Sequence, residues 1–159
     1  MQQAHGIRFI VLFVGLWAIM ATGTAWADGN AFVGKWRLNK AESRIPPGDV
    51  MPADMQADFT RVDSTHVRWS ITVTDAQGRA SIETFDTPGN GEFYPISSDT
   101  TAAFLLTNGA LQGTFKGPAG ETDKLTCSVS KDNLKMTCNG AMTAPSGAVL
   151  TYIDVYDRR

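Results

Sequence analysis

The sequence is poor in the side chains that carry chemistry. It holds two histidines and two cysteines in 159 residues. His5 precedes the long apolar run, so His66 stands alone in the rest of the chain. That argues against a histidine-built metal site, and two thiols without a nearby histidine make an incomplete ligand set. No Gly-rich phosphate loop and no Gly-x-Gly-x-x-Gly fingerprint occurs, so no cofactor is expected. Lys and Arg total 14 against 16 acids, and the basic residues are spread singly. Without a basic run, a nucleic-acid partner is not expected. There is no internal repeat and no low-complexity tract.

Catalytic constellations are also missing. Asp63, Ser64 and His66 fall together in "VDSTH". A triad needs nucleophile, base and orienter converging on a cleft, whereas Asp and Ser within one turn usually bond their own backbone. Glu83 and Asp86 have odd spacing on a strand and so face opposite ways. No catalytic residue is assigned, and the residues point away from an enzyme.

There is one long hydrophobic run, and it is short for a membrane span. After Arg8 comes "FIVLFVGLWAIMA", then "TGTAWA". A weakly basic start, an apolar stretch and small residues at Ala25 and Ala27 predict a cleaved secretory signal over residues 1–27. The uninterrupted apolar core is below the roughly 18 residues a bilayer span needs. Cleavage is expected after Ala27, with Ala25 as the alternative. No Cys follows either cut, which argues against a lipid anchor. The expected product is a periplasmic or secreted domain over residues 28–159, with no stable membrane insertion. Its length of about 130 residues suits one domain.

In that compartment the even cysteine count reads as a Cys127–Cys138 disulfide. The remainder alternates between strand and turn. "VRWSITV" puts Val67, Trp69, Ile71 and Val73 on one face, the period of a half-buried strand. Asn108-Gly109 is the strongest hairpin signal. About nine strands at regular spacing predict an all-β sandwich or barrel, paired as an antiparallel meander. In the hairpin around Asp132-Asn133, positions summing to 265 face each other, and 127 with 138 satisfies that sum. Both sulfurs then point to the apolar face. The segment 39–54, with Pro46-Pro47-Gly48, is expected to cross one end as a lid or plug.

The stretch "FVGKW" opens the first strand. A closed barrel has no free edges, but its ends need stoppers. Trp36 is expected to cap one end, with Gly34 letting the backbone pass close. If the last strand pairs with the first, Arg158 or Arg159 stacks over the Trp36 ring.

Gly34-Lys35-Trp36 with an Arg ending the last strand resembles the lipocalin (calycin) pattern. "FVGKWRLNKAESRIPPG", the isolated Tyr94-Pro95 and the closing "VYDRR" are similar to small exported bacterial proteins of lipocalin-like type. The resemblance covers most of the chain after the leader. It implies an antiparallel up-and-down β-barrel of about 8–10 strands. The hairpin cysteines depart from the usual lipocalin bridge, which ties the C-terminal tail to the barrel, so ligand specificity is not carried over.

The aromatics remain. Trp69, Phe85, Phe93, Phe104, Phe115 and Tyr152, together with Phe59, either fill the interior or line a cavity. A barrel of about eight strands is just wide enough for either, and a void above about 300 Å³ would favour the second. The first functional expectation is therefore a barrel for a small hydrophobic molecule. The second is a solid barrel acting as a protein-interaction module or inhibitor of an exported enzyme, through the loops 45–52 and 88–94.

Overall fold

The computed structural model describes residues 31–159. The expected signal segment lies outside the described residues. Ten antiparallel strands form one sheet: β1 (Gly34–Leu38), β2 (Asp54–Val62), β3 (Val67–Thr74), β4 (Ala80–Thr87), β5 (Tyr94–Pro95), β6 (Thr101–Thr107), β7 (Ala110–Lys116), β8 (Thr122–Val129), β9 (Lys135–Thr143) and β10 (Val149–Arg158). Their order is β4-β3-β2-β1-β10-β9-β8-β7-β6-β5. Consecutive strands pair except β4 and β5, which end the sheet on either side of a seam, and the last strand pairs with the first. The sheet curls into a nearly closed barrel. At the seam, Asn90 bridges to Leu105 and Gly91 N–H donates to Phe104 O at 2.8 Å. The chain leaving β4 thus reaches β6, where a flat sheet would leave an exposed edge.

Turn chemistry sets the register. Asn108 and Gly109 sit at φ 50° and 74°, the double left-handed conformation of a type I′ hairpin. Cys127 faces Cys138 across β8 and β9 and is bonded to it. One irregularity went unforeseen: β2 bulges between Phe59 and Arg61.

The stopper stands where expected. Trp36 and Phe32 are fully buried, and the Trp36 indole N–H donates to Phe32 O at 2.8 Å. The Arg158 guanidinium covers the indole and donates to Val33 O at 2.8 Å and Ala31 O at 2.5 Å. Gly34 adopts φ 137°, and a Cβ there would collide with Arg158 Nη1. The glycine is therefore required twice, by backbone conformation and by the arginine.

The segment after β1 corrects the lid expectation. Asn39 N–H donates to Val155 O, and Arg44 and Ile153 exchange backbone hydrogen bonds at 2.7 and 2.8 Å. After the excursion over Lys40–Ser43, the chain resumes pairing along β10. Ser43 Oγ accepts from Val155 N–H at 3.0 Å. This half of the segment belongs to the barrel wall because β1 is shorter than β10 and leaves backbone groups to satisfy. In its second half, Met51 packs against the core.

Candidate functional site

The interior is not solid. A cavity of about 290 Å³ lies between the Trp36 end and the opposite mouth, just short of the void of about 300 Å³ at which small-molecule sites begin.

One wall follows from register. Phe59, Trp69 and Phe85 are successive cross-strand partners on β2, β3 and β4. Their rings stack, with centroids 5.3 Å apart at 9° and 4.5 Å apart at 18°. Phe104 and Phe115, from β6 and β7, stand edge-on to the stack across the seam. Phe104 lies 6.2 Å from Trp69 at 88°, and Phe115 lies 5.8 Å from Phe85 at 75°. These edge-to-face pairs suit the ring quadrupoles and join β4 to the far side where no ladder does. The Trp69 indole N–H is buried without a partner.

The other wall carries Leu125, the Cys127–Cys138 bridge, Met136, Tyr152 and Tyr156. Gly140 lies directly opposite Tyr152 in the β9–β10 ladder. A Cβ at Gly140 would collide with the Tyr152 ring, so this glycine leaves the space in which the ring lies.

Five of the six sequence-predicted lining residues meet here: Trp69, Phe85, Phe104, Phe115 and Tyr152. Phe93 does not. It is 41% exposed, in the loop before the two-residue β5, with Lys116 Nζ 3.6 Å over its ring. A hydrophobic residue in a loop has no strand alternation to turn it inward. Gly34, Trp36 and Arg158 form the structural clamp and lie outside the cavity lining.

Sequence reasoning weighed Glu83 only as half of a carboxylate pair and passed over the other polar members: Asp123, Asp154 and Tyr156. The signal was present. Stepping by two from Cys127 gives Leu125 and Asp123, and stepping by two from Tyr152 gives Asp154 and Tyr156. Period two puts each set on one face.

The acids sit in an unfavourable place. The Tyr152 hydroxyl reaches both oxygens of Asp123, at 3.0 and 2.8 Å. Burial pushes the Asp123 carboxyl upward, and the Tyr152 hydrogen bond partly opposes it. Asp154 receives only the Tyr156 hydroxyl, at 3.5 Å, and that hydroxyl also meets Met55 Sδ at 3.2 Å. Burial pushes Asp154 up to about 6; the Tyr156 bond lowers it and the Asp123 charge raises it. Burial followed by nearby carboxylates holds both phenols well above their ordinary range, so they serve as neutral donors.

His66 belongs to a different surface. Asp63 Oδ1 accepts from the backbone N–H groups of Thr65 and His66, each at 2.8 Å, as its place in a turn suggested. His66 Nε2 contacts Asp86, which also pairs with Arg68 at 2.6 Å. Glu83 lines the cavity, while Asp86 makes these contacts away from it, in line with their odd spacing.

No protein-family model matches the chain, and no curated protein matches it in sequence. Solved structures do match in shape. The fluorescent protein UnaG superposes with TM-score 0.56 at 14% identity, over 83% of this chain and 100% of that one. Secretory abundant heat soluble protein 4 from Ramazzottius varieornatus gives 0.53 at 13%, over 82% and 96%. Zebrafish ileal bile acid-binding protein complexed with cholic acid gives 0.51 at 12%, over 81% and 99%. At these identities the likeness establishes the fold alone: an antiparallel up-and-down β-barrel.

Proposed function

We propose that this chain is an exported barrel that binds a small hydrophobic molecule in its interior, and that it is a binding protein rather than an enzyme. The observation that carries this reading is the cavity itself, walled by a three-ring stack and two edge-on phenylalanines beside a few polar groups. Small-molecule sites are mostly apolar with a few placed polar groups. The cavity favours this reading over a protein-interaction module with a solid interior. The zebrafish protein holds cholic acid on a barrel of the same shape, which supports the class of activity. The unpartnered Trp69 indole N–H is a free donor for an acceptor atom of a bound molecule. Export rests on the leader's anatomy, and the disulfide accords with an oxidising compartment.

Native mass spectrometry of the purified protein tests the binding reading. A retained organic molecule, or saturable uptake of an apolar fluorescent probe that Trp69→Ala weakens, is expected. An empty protein that takes up no probe would defeat it. N-terminal sequencing of protein recovered from the cell envelope or medium is expected to begin at Asp28, or at Trp26 for the alternative cut. Protein confined to the cytosol with Met1 retained would defeat the export reading.

A further inference from the structure

The cavity's ionisable groups are all acidic. Among the described residues that line it, Glu83, Asp123 and Asp154 are acids, Tyr152 and Tyr156 are phenols, and none is Lys, Arg or His. A second depression shares Phe115 and Asp123 with the cavity, so it lies at the mouth. It adds Glu121 and again no base. The barrel thus offers acids and no base in the lining of both depressions.

The acids are not balanced from within. No ion pair among the described residues involves Glu83, Asp123 or Asp154. Asp123 has the Tyr152 hydroxyl on both oxygens. Asp154 has one long hydrogen bond and most of its acceptor capacity unused. A half-buried carboxylate without a cation carries part of the cost of a buried charge, and its partial burial raises its affinity for protons. A carboxylate ligand would worsen this by placing like charges together in a region of low polarity. A ligand ammonium would relieve it through charge-assisted hydrogen bonds.

We propose that the cavity takes a small hydrophobic amine in its protonated form. Its ring lies against the Phe59–Trp69–Phe85 stack, its ammonium is held by Asp154, and Asp123 at the mouth favours its entry. The proposal rests on reading the cavity as a binding site and specifies what that site prefers. The volume suits one fused ring pair rather than a long chain. At about 30 Å³ per water in the liquid, 290 Å³ is the space of roughly ten waters.

The test uses three molecules that share a ring system and differ in the head group: 1-naphthylmethylamine, 1-naphthylmethanol and 1-naphthoic acid. Isothermal titration at pH 7.5 is expected to give the amine at least a tenfold lower Kd than the alcohol, a factor equivalent to about 1.4 kcal/mol, and no measurable binding of the acid. In Asp154→Asn, the amine is expected to fall to the alcohol's affinity while the alcohol is unchanged. Equal binding of amine and alcohol, or tightest binding of the acid, overturns the amine preference and leaves the cavity reading intact. An amine preference that survives Asp154→Asn overturns the assigned anchor. Binding of none of the three overturns both readings. The comparison of head groups is made on the unsubstituted protein, so it stands even where the variant fails to fold.

Discussion

The Arg158 guanidinium carbon lies 4.1 Å from the centroid of the Trp36 ring, and the two residues are Cα partners where β10 meets β1. One contact thus closes the barrel wall and stoppers its end. The same guanidinium donates to three backbone oxygens, on Ala31, Val33 and Asn133. It ties the chain entering the first strand to the β8–β9 turn.

Arg158→Ala is expected to destabilise the protein by about 2–4 kcal/mol, from lost charge-assisted hydrogen bonds and the lost cation–π contact. Arg158→Lys should recover less than half of that, because an ammonium lacks the planar fork. Urea unfolding midpoints measure both. A lysine variant as stable as the parent would show that charge alone matters there.

Gly34→Ala tests the other half of the clamp. Its φ of 137° is a conformation that L side chains rarely adopt, and the new methyl group meets Arg158. The expected loss is about 1–3 kcal/mol, and it should shrink in an Arg158→Ala background, where the collision is gone. Losses that simply add in the double variant would mean that the arginine and the glycine act independently.

The antiparallel order and the disulfide were legible in the sequence because each follows from local rules, and the β1–β10 pairing and the clamp because closure removes free edges. Period two gives facing, Asn-Gly gives a I′ turn, and paired positions around one turn give the cysteine partners. The aromatic side of the cavity was legible for the same reason. Its acidic side was passed over because Asp123 and Asp154 are polar residues at inward positions, and hydrophobicity alone reads them as surface. The fate of the 39–54 segment depended on β10 being longer than β1, a difference that only paired strands reveal. Phe93 failed as a lining residue because hydrophobicity without strand alternation carries no direction.

The disulfide should contribute substantially. It joins residues 11 apart in sequence, and closing a loop of about a dozen residues is worth about 3 kcal/mol on the chain-entropy model. Cys127→Ala/Cys138→Ala is expected to lower the unfolding midpoint by that order while keeping the β spectrum. Reduction of the parent protein should match it. A double alanine variant of unchanged midpoint would show that the ladder holds its register unaided.

Gly140 controls the polar wall through Tyr152. Gly140→Ala puts a methyl group where the ring now lies, so the ring must tilt and its hydroxyl must leave Asp123. A destabilisation of about 1–3 kcal/mol is expected from overpacking, with weaker uptake of an apolar probe. Tyr152→Phe separates the two effects, since it keeps the ring and removes only the donor. If Gly140→Ala leaves both stability and probe affinity at parental values, the ring is not confined as the structure implies.

Asp154 links the cavity to pH. Its carboxyl is raised from 3.8 to about 6 by burial, with Asp123 adding to the rise. Between those values the folded state binds the proton more tightly than the unfolded state. Asp154 therefore contributes stability at low pH that is lost as pH rises from about 4 to 6. Asp123, raised in the same direction by burial, adds to this trend. Asp54, Asp63, Asp75, Asp86 and Asp132 are lowered and oppose it below about pH 4, the ordinary aspartate range. The informative quantity is therefore the difference between parent and Asp154→Asn. The variant should gain about 1–2 kcal/mol relative to the parent on going from pH 4 to pH 7, a figure discounted for partial solvent screening. Urea melts at the two pH values give that difference. A constant difference would mean that Asp154 titrates normally, and the acid would then be well solvated rather than held unpaired against the rings.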